Sequence, residues 1–332
     1  MRPAAPGAGV VPNFGERVED CAGQSWRYSP GMKLMPLMWM KSCSVLLPAA
    51  ALLLGTLAPA RAADAPAAKM PFFAFENAMH DGKTRPPAEQ AALLKELGYD
   101  GVSASGQISA EYIAAFESAG LKVFNTYLVL SFDSAKPGLE PKLKEFVARL
   151  KGHGTALWIA IQTVTKDGVK LKPSAPEGDE VVLPAVRELA ALAEASGVRI
   201  AFYPHTWMWT ERVEDCVRVA RKAERANVGA TFNLCHWLKV EGDRDPRPVL
   251  QDALPKLFFV SINGAEAGDT KKLDWNKLIQ PLGQGSYDVA GLVKMLKEIG
   301  YTGSIGFQGF AIKGDSRDIL TQTMQGWRRI GL

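Results

Sequence analysis

The stretch VGATFNLCHWLKVEGD, residues 228–243, begins like a buried β-strand and ends like the edge of a binding site. Its first part is an apolar run from Val228 to Cys235, which predicts a strand enclosed on both faces. Polar and aromatic side chains then gather where the run stops: Asn233, His236 and Trp237. Such groups at the end of a hydrophobic strand need a reason beyond packing.

A second stretch, VRIAFYPHTWMW (198–209), has the same form. Its apolar run is also followed by side chains that hydrogen-bond or stack: Tyr203, His205, Trp207 and Trp209. Two strands that end alike indicate that their ends meet in one place.

The chain alternates strand-like and helix-like segments from Met70 onward. Amphipathic stretches such as LPAVRELAALAEASG (183–197) carry apolar residues at helical spacing and end at a glycine. The strand-like runs are 71–75, 100–104, 121–130, 155–162, 198–203, 228–235, 256–262 and 303–308.

Eight such repeats predict an α/β protein of the (β/α)8 type, a TIM barrel formed as a single domain by residues 70–332. The alternative is a doubly wound open sheet. That fold usually binds a nucleotide through a glycine-rich loop after its first strand, and none follows 71–75 here.

In such barrels the functional residues lie at the carboxyl ends of the strands. Glu76 is the one carboxylate that the sequence places at a strand end, and we expect it to be catalytic with His205 and His236. The other polar residues predicted at this end are Asn77, Gln162, Tyr203, Asn233, Ser261, Asn263 and Gln308, with Gln280 and Gln284 in the loop above.

Residues 1–62 have a different character. Lys33 and Lys41 precede an apolar segment, 45–58, and small residues surround Arg61, which is the pattern of a secretory signal peptide. We expect 1–62 to be a mis-assigned extension plus signal peptide, 63–69 to be a short linker, and the mature protein to be periplasmic or secreted. A membrane anchor is the alternative, but the apolar segment is short for a span.

The net charge of +4 comes largely from this segment, which holds six basic and three acidic residues, so the remainder carries +1. A nearly neutral chain without basic clusters is a poor partner for nucleic acid. After signal cleavage no membrane association is expected, and the sequence is compatible with a homo-oligomer. Cys216 and Cys235 are predicted to be buried free thiols.

The strand ends carry a resemblance to xylose isomerase-like TIM barrels, the sugar phosphate isomerase/epimerase family related to endonuclease-IV-type barrels. The motifs are IAFYPHTW (200–207), VGATFNLCHWLKVEGD (228–243), FVSINGA (259–265), PLGQGSYDV (281–289) and GYTGSIGFQGF (300–310). The resemblance implies a divalent metal, held by carboxylates and a histidine, that polarises a sugar hydroxyl and carbonyl.

This chain departs from that pattern at the metal ligands. Where the family has Asp, His, Asp and Glu, it has Asn233, Ser261, Asn263 and Gln308, and neither Tyr203 nor Trp209 supplies the expected Glu. Amides and hydroxyls attract a hard cation weakly. His205 and His236 remain as weak ligands, so the sequence is compatible with weak binding of zinc or manganese, but no tight metal site is predicted.

Amides both donate and accept hydrogen bonds, as sugar hydroxyls do. We therefore expect a small-molecule carbohydrate without a phosphate, with Trp207, Trp209 and Trp237 stacked on a pyranose face. The predicted function is an exported sugar isomerase or epimerase that removes a proton next to a carbonyl. Three alternatives are a keto-glycoside lyase or hydrolase, a degenerate carbohydrate-binding barrel in the periplasm, and a nuclease, which the missing metal ligands disfavour.

Overall fold

The computed structural model describes residues 70–331, so the predicted signal peptide and linker lie outside the described residues. Its strands are β1 Phe72–Phe75, β2 Gly101–Ser105, β3 Lys122–Asp133, β4 Ala156–Lys166, β5 Val169–Lys170, β6 Ile200–Phe202, β7 Val228–Asn233, β8 Leu257–Ile262 and β9 Ser304–Phe307. The helices are α1 Pro87–Leu97, α2 Ala110–Ser118, α3 Pro141–Arg149, α4 Asp179–Ala195, α5 Val213–Lys222, α6 Leu234–Glu241, α7 Arg247–Ala253, α8 Trp275–Leu278, α9 Val289–Glu298 and α10 Ser316–Ile330.

Eight of the strands close into a parallel barrel. Neighbours pair in the order β3-β2-β1-β9-β8-β7-β6-β4, and β3 also pairs with β4, which closes the ring. Every pairing between these eight strands is parallel. The TIM barrel predicted from the sequence is therefore confirmed, and the open doubly wound sheet is excluded.

The barrel strands match the eight predicted runs, with differences of one to four residues at their ends. The predicted and observed bounds differ most at β3 and β4, which are longer than the other strands. The two strands remain paired as a ribbon that extends beyond the carboxyl ends of the other strands. At its end Val169 and Lys170 turn back as β5, antiparallel to β4. The sequence did not predict this small hairpin.

Side chains alternate between the barrel interior and the surrounding helices, as the pleat of a strand requires. Along β7, Val228, Ala230 and Phe232 pack in the larger core between barrel and helices. Asn233, at the next position, points into the barrel instead. The interior has its own, largely aromatic cluster: Phe73, Phe75, Phe124, Ala156, Trp158, Ala160, Ala201, Tyr203 and Phe259.

The strand predicted over 228–235 ends at Asn233, and Cys235, His236 and Trp237 belong to helix α6 instead. The reason is local. The Asn233 side chain accepts a hydrogen bond from the backbone N–H of His236 at 3.0 Å, so it caps the helix at its N-terminus. Cys235 is nevertheless a buried free thiol, as predicted, and so is Cys216 in α5.

Candidate functional site

The structure brings His205 and His236 together at the carboxyl end of the barrel. His205 lies in the loop after β6, and His236 lies in the first turn of α6, directly after β7. Because β6 and β7 are paired neighbours, their ends deliver the two side chains to one place. The imidazole centroids are 4.1 Å apart, and the ring planes are inclined by 42°.

Thr206, which the sequence analysis did not select, fixes the tautomers of both rings. His205 Nδ1 lies 3.0 Å from the carbonyl oxygen of Thr206, which can only accept, so Nδ1 carries a hydrogen and Nε2 has the lone pair. The backbone N–H of Thr206 donates to His236 Nδ1 at 3.4 Å, and its Oγ1 lies 3.0 Å from the same atom. Nδ1 of His236 is thus an acceptor, and its Nε2 carries the hydrogen.

Both imidazoles are neutral near pH 7. Burial lowers the pKa of His205 below its ordinary value of 6.5, and the bond to Thr206 offsets this only in part. Burial, together with the charge that His205 would carry, lowers the pKa of His236 well below 6.5. His236 is only 6% exposed. The pair therefore presents one basic nitrogen and one N–H donor without a positive charge.

The loop that holds His205 is attached to β4. The backbone N–H of His205 donates to Thr210 O at 2.9 Å, and Thr210 Oγ1 accepts from the N–H of Ile161 at 3.0 Å. Inside this turn Trp207 has a φ of +67°, a left-handed conformation that is unusual for a bulky residue. The turn is therefore held in place by β4 on one side and by the paired histidines on the other.

A chain of uncharged hydrogen bonds connects the amides predicted at the strand ends. Asn77 Nδ2 donates to Gln308 Oε1 at 2.8 Å, and Gln308 Nε2 donates to Tyr203 Oη at 3.4 Å. Asn233 Nδ2 donates to Tyr203 Oη and, at 2.8 Å, to Ser261 Oγ. Five residues from β7, β8 and the segments after β1, β6 and β9 thus form one polar layer beneath the mouth of the barrel.

Within this layer the amides differ in what they still offer. Asn233 Oδ1 already accepts from His236 N and, at 3.0 Å, from Cys235 Sγ, while its Nδ2 makes two bonds. Its hydrogen-bonding capacity is used within the protein, so Asn233 is a scaffold residue in this conformation. Asn77 Oδ1, in contrast, is buried and has no hydrogen-bond partner among the described residues, so its accepting capacity is unused within the protein.

Two of the three tryptophans that were predicted to stack on a pyranose face, Trp209 and Trp237, are buried instead. Trp209 is 1% exposed and donates Nε1–H to Ala175 O at 3.0 Å. Trp237 is 4% exposed and packs beside Phe232 in the outer core. Neither ring has a free face for a sugar, because both are buried, with Arg218 over the ring of Trp209 and Arg244 over that of Trp237.

Trp207 has the opposite environment, with 69% of its surface exposed. Its ring lies 6.0 Å from that of Trp275, edge to face, and Trp275 lies 5.6 Å from the ring of His236. Trp275, the first residue of α8, was missed by the sequence analysis. The only sequence feature that could have marked Trp275 as a site residue is that it is an aromatic residue within the charged segment KKLDWNK (271–277).

Several predicted residues support loops of the mouth. Asn263 Nδ2 donates to Gly264 O and Leu278 O, so Asn263 fastens the loop after β8, while its Oδ1 is buried without a hydrogen-bond partner. Gln280 lies 3.5 Å from Glu266 Oε1 and pairs through its backbone with Gly264. Gln284 is exposed, and Gln162 is half-buried at the end of the barrel part of β4.

Gly264 explains why the PLGQG segment (281–285) packs there. A Cβ atom on Gly264 would lie 2.3 Å from Pro281 O and 2.6 Å from Gln284 O, so a larger residue would push the two loops apart.

Glu76 is not brought together with the histidines. It follows β1, which is opposite β6 in the ring, and it accepts a hydrogen bond from Tyr112 Oη of α2 at 3.2 Å. Burial raises the pKa of Glu76, although its bonds to Ser105 and Tyr112 and the nearby His80 act against this. A role for Glu76 in proton transfer remains a proposal.

The donor set does not fit a resident divalent metal. Within residues 70–331, no three His, Cys, Asp or Glu side chains are placed to hold one ion. The strand-end positions that carry carboxylates in the pattern above are Asn233, Asn263 and Gln308, which are neutral amides and attract a hard cation weakly. The Oδ1 atom of Asn233 already accepts two hydrogen bonds within the protein. A cation beside the two imidazoles would lack an anionic ligand, so no step below passes through a metal.

Residues 91–330 match the model of a protein family described as xylose isomerase-like TIM barrel, so the chain belongs to that family. One curated relative is the 3-dehydroshikimate dehydratase of Pseudomonas aeruginosa, 29% identical over 127 residues. The match covers 38% of this chain and only 20% of that protein, so the chain spans a small part of its relative.

Solved structures show the same fold. The IolI protein with a bound zinc atom has a TM-score of 0.61 at 17% identity, over 79% of this chain and 98% of that one. The 3-keto-D-glucoside 4-epimerase YcjR of E. coli has a TM-score of 0.58 at 17% identity, over 79% and 99%. A D-allulose 3-epimerase of Methylomonas sp., in complex with D-allulose, has a TM-score of 0.59 at 16% identity, over 78% and 96%.

No helix within the described residues is long and apolar enough to cross a membrane.

Proposed function

We propose that this protein is an exported enzyme that isomerises or epimerises an unphosphorylated sugar or keto-glycoside by moving a proton next to a carbonyl. The observation that carries the proposal is the pair of neutral imidazoles with opposite tautomers, 4.1 Å apart, beside an uncharged polar layer. Family membership supports a sugar substrate, since structural neighbours include enzymes named as sugar epimerases.

The tautomers assign the roles of the two rings. His205 Nε2, which has the lone pair, takes the proton from the carbon next to the carbonyl. The electrons of that C–H bond form the carbon–carbon double bond of an enediolate, and the carbonyl oxygen becomes negatively charged. The Nε2–H of His236 donates to this oxygen, because a neutral imidazole N–H serves as an electrophile for a developing enolate. Return of the His205 proton to the neighbouring carbon, with transfer of that carbon's hydroxyl proton to the original carbonyl oxygen, completes isomerisation. Delivery of a solvent proton to the opposite face of the first carbon, with release of the His205 proton to solvent, completes epimerisation.

The polar layer favours an uncharged substrate. The residues that form it are amides and hydroxyls: Asn77, Tyr203, Asn233, Ser261 and Gln308. A phosphate prefers Arg or Lys side chains or a helix N-terminus, whereas a sugar hydroxyl needs one donor and one acceptor. The unpartnered Oδ1 of Asn77 is such an acceptor.

The test is incorporation of solvent deuterium into sugar C–H positions, followed by proton NMR with a panel of uncharged ketoses, aldoses and oxidised glycosides. We expect exchange with the wild-type protein, and at least a hundredfold loss, on the order expected for removal of a general base, in His205→Gln and His236→Gln. His153→Gln is the matched control, because His153 bonds to Glu117 in the turn before β4, at the other end of the barrel. Its exchange rate should equal that of the wild type.

Three results would count against the proposal. Unchanged exchange in both histidine variants would remove the mechanism. Thermal stabilisation by a sugar without any exchange would instead support a carbohydrate-binding barrel. Loss of exchange in EDTA, restored by zinc or manganese, would show that the family's metal is retained despite the altered ligands.

A further inference from the structure

The carboxyl end of the barrel carries an aromatic surface that the proton-transfer step does not use. It consists of the exposed Trp207, in the loop after β6, and the half-buried Trp275, at the start of α8. Within residues 70–331 Trp207 is the most exposed large apolar side chain, at 69%. One exposed apolar side chain is common on protein surfaces, but this indole lies in line with a second indole and with His236, so it offers an apolar face to a ligand at that site.

The protein holds Trp207 outward against a conformational preference. Its φ of +67° is unfavourable for a bulky residue, and such strain persists only where the surroundings enforce it. Here the Glu211 carboxylate accepts the backbone N–H of Trp207 at 2.8 Å, and Met208 N bonds to His205 O at 3.0 Å. The turn that orients His205 therefore also presents Trp207.

Trp275 connects this surface to the reacting groups. Its ring lies 5.6 Å from His236, inclined by 71°, and 6.0 Å from Trp207, inclined by 84°. The three rings form a continuous line from the candidate proton donor to the solvent. Lys239 lies over Trp275, but its Nζ donates to Leu273 O at 2.7 Å, so this cation has a protein partner already.

We infer that Trp207 and Trp275 form a second carbohydrate subsite, which binds the ring attached to the reacting sugar, so that the substrate is a glycoside rather than a free monosaccharide. The inference rests on the proposed function for the position of the reacting ring. An indole offers a large, rigid apolar face with little entropy to lose, which suits the C–H face of an uncharged pyranose. A substrate confined to the histidine pair would leave this surface uncovered.

The subsite bears on the kind of reaction. A glycosidic oxygen placed beta to the carbon that loses its proton can leave as the enediolate collapses. The C–O bond then breaks with its electron pair, the oxygen takes a proton, and an unsaturated keto-sugar remains. The same two histidines therefore serve a lyase when a second ring is bound, which makes elimination the favoured alternative to epimerisation.

The experiment compares one-ring and two-ring ligands. Glucose, cellobiose, maltose, laminaribiose and trehalose are titrated by calorimetry into the wild type, Trp207→Ala, Trp275→Phe and Val169→Ala. Val169, exposed on the β4–β5 hairpin, is the control for loss of an apolar surface group. We expect at least one disaccharide to bind more tightly than glucose, and Trp207→Ala to weaken it about tenfold while glucose binding stays unchanged.

Three outcomes would overturn the inference: no disaccharide binds better than glucose, Trp207→Ala weakens glucose and disaccharide equally, or it changes neither. Deuterium exchange separates this failure from failure of the proposed function. Exchange that persists in Trp207→Ala without disaccharide preference leaves the mechanism intact and removes the subsite. Disaccharide binding that depends on Trp207 but occurs without exchange leaves the subsite and removes the mechanism.

Discussion

At the scale of a single residue, Thr206 decides what the two histidines can do, since its carbonyl, N–H and hydroxyl contact both rings. Thr206→Val keeps the size and the backbone contacts but removes the Oγ1 contact to His236 Nδ1. We expect kcat for exchange to fall by up to about tenfold, the value of one hydrogen bond, with little change in KM. Nitrogen-15 NMR of the ring should show a mixture of tautomers at His236. Thr206→Ser should restore both readouts. Identical rates and spectra in Thr206→Val and the wild type would show that the hydroxyl has no positioning role.

At the scale of an element, Asn233 joins β7 to α6, because one amide caps the helix and ties the strand end to Tyr203 and Ser261. Asn233→Ala removes the cap and both side-chain bonds, so we expect the free energy of unfolding to decrease by about 2–4 kcal/mol. Urea denaturation measures this. Ser109→Ala is the matched control: Ser109 caps α2 by accepting from Tyr112 N at 3.2 Å, and its side chain otherwise bonds only to the exposed Glu111, so a loss of about 1 kcal/mol is expected. Equal losses in the two variants would mean that the bonds beneath the mouth contribute nothing to stability.

At the scale of the whole molecule, the buried histidines make the barrel sensitive to acid. The pKa values of His205 and His236 are lowered in the folded state, so the unfolded chain binds more protons once the pH falls below about 6.5. Stability should therefore decrease from there toward lower pH, until the folded-state pKa values are reached. The raised pKa of Glu76 acts in the opposite sense, since its stabilising contribution is present at low pH and is lost as pH rises through its folded value. Urea midpoints between pH 7.5 and 5 should fall less steeply in His236→Gln than in the wild type. Parallel slopes would mean that folding does not lower the pKa of His236.

Much of the architecture could be predicted from local pattern. The eight apolar runs and the amphipathic segments between them place every barrel strand to within a few residues, because strand and helix periods depend on neighbours along the chain. The polar strand ends could be selected too, since the parallel barrel brings them to one rim. Asn77, Tyr203, Asn233, Ser261 and Gln308 do form one connected layer there.

The roles of particular side chains could not be predicted in this way. Trp207 and Trp209 are two positions apart, yet one is 69% exposed and the other 1%, because helices and loops distant in the sequence cover only the second. The tautomer of His236 is decided by contacts across 30 residues of chain, from the backbone N–H and hydroxyl of Thr206. The sequence by itself therefore determined the barrel and the composition of its rim, since those follow from periodicity. Tertiary packing alone decided which rim side chains already use their hydrogen-bonding groups within the protein, which have groups without a partner, and which nitrogen of His236 carries the hydrogen. The reason is that burial and hydrogen-bond partners come from segments that the chain brings together only on folding.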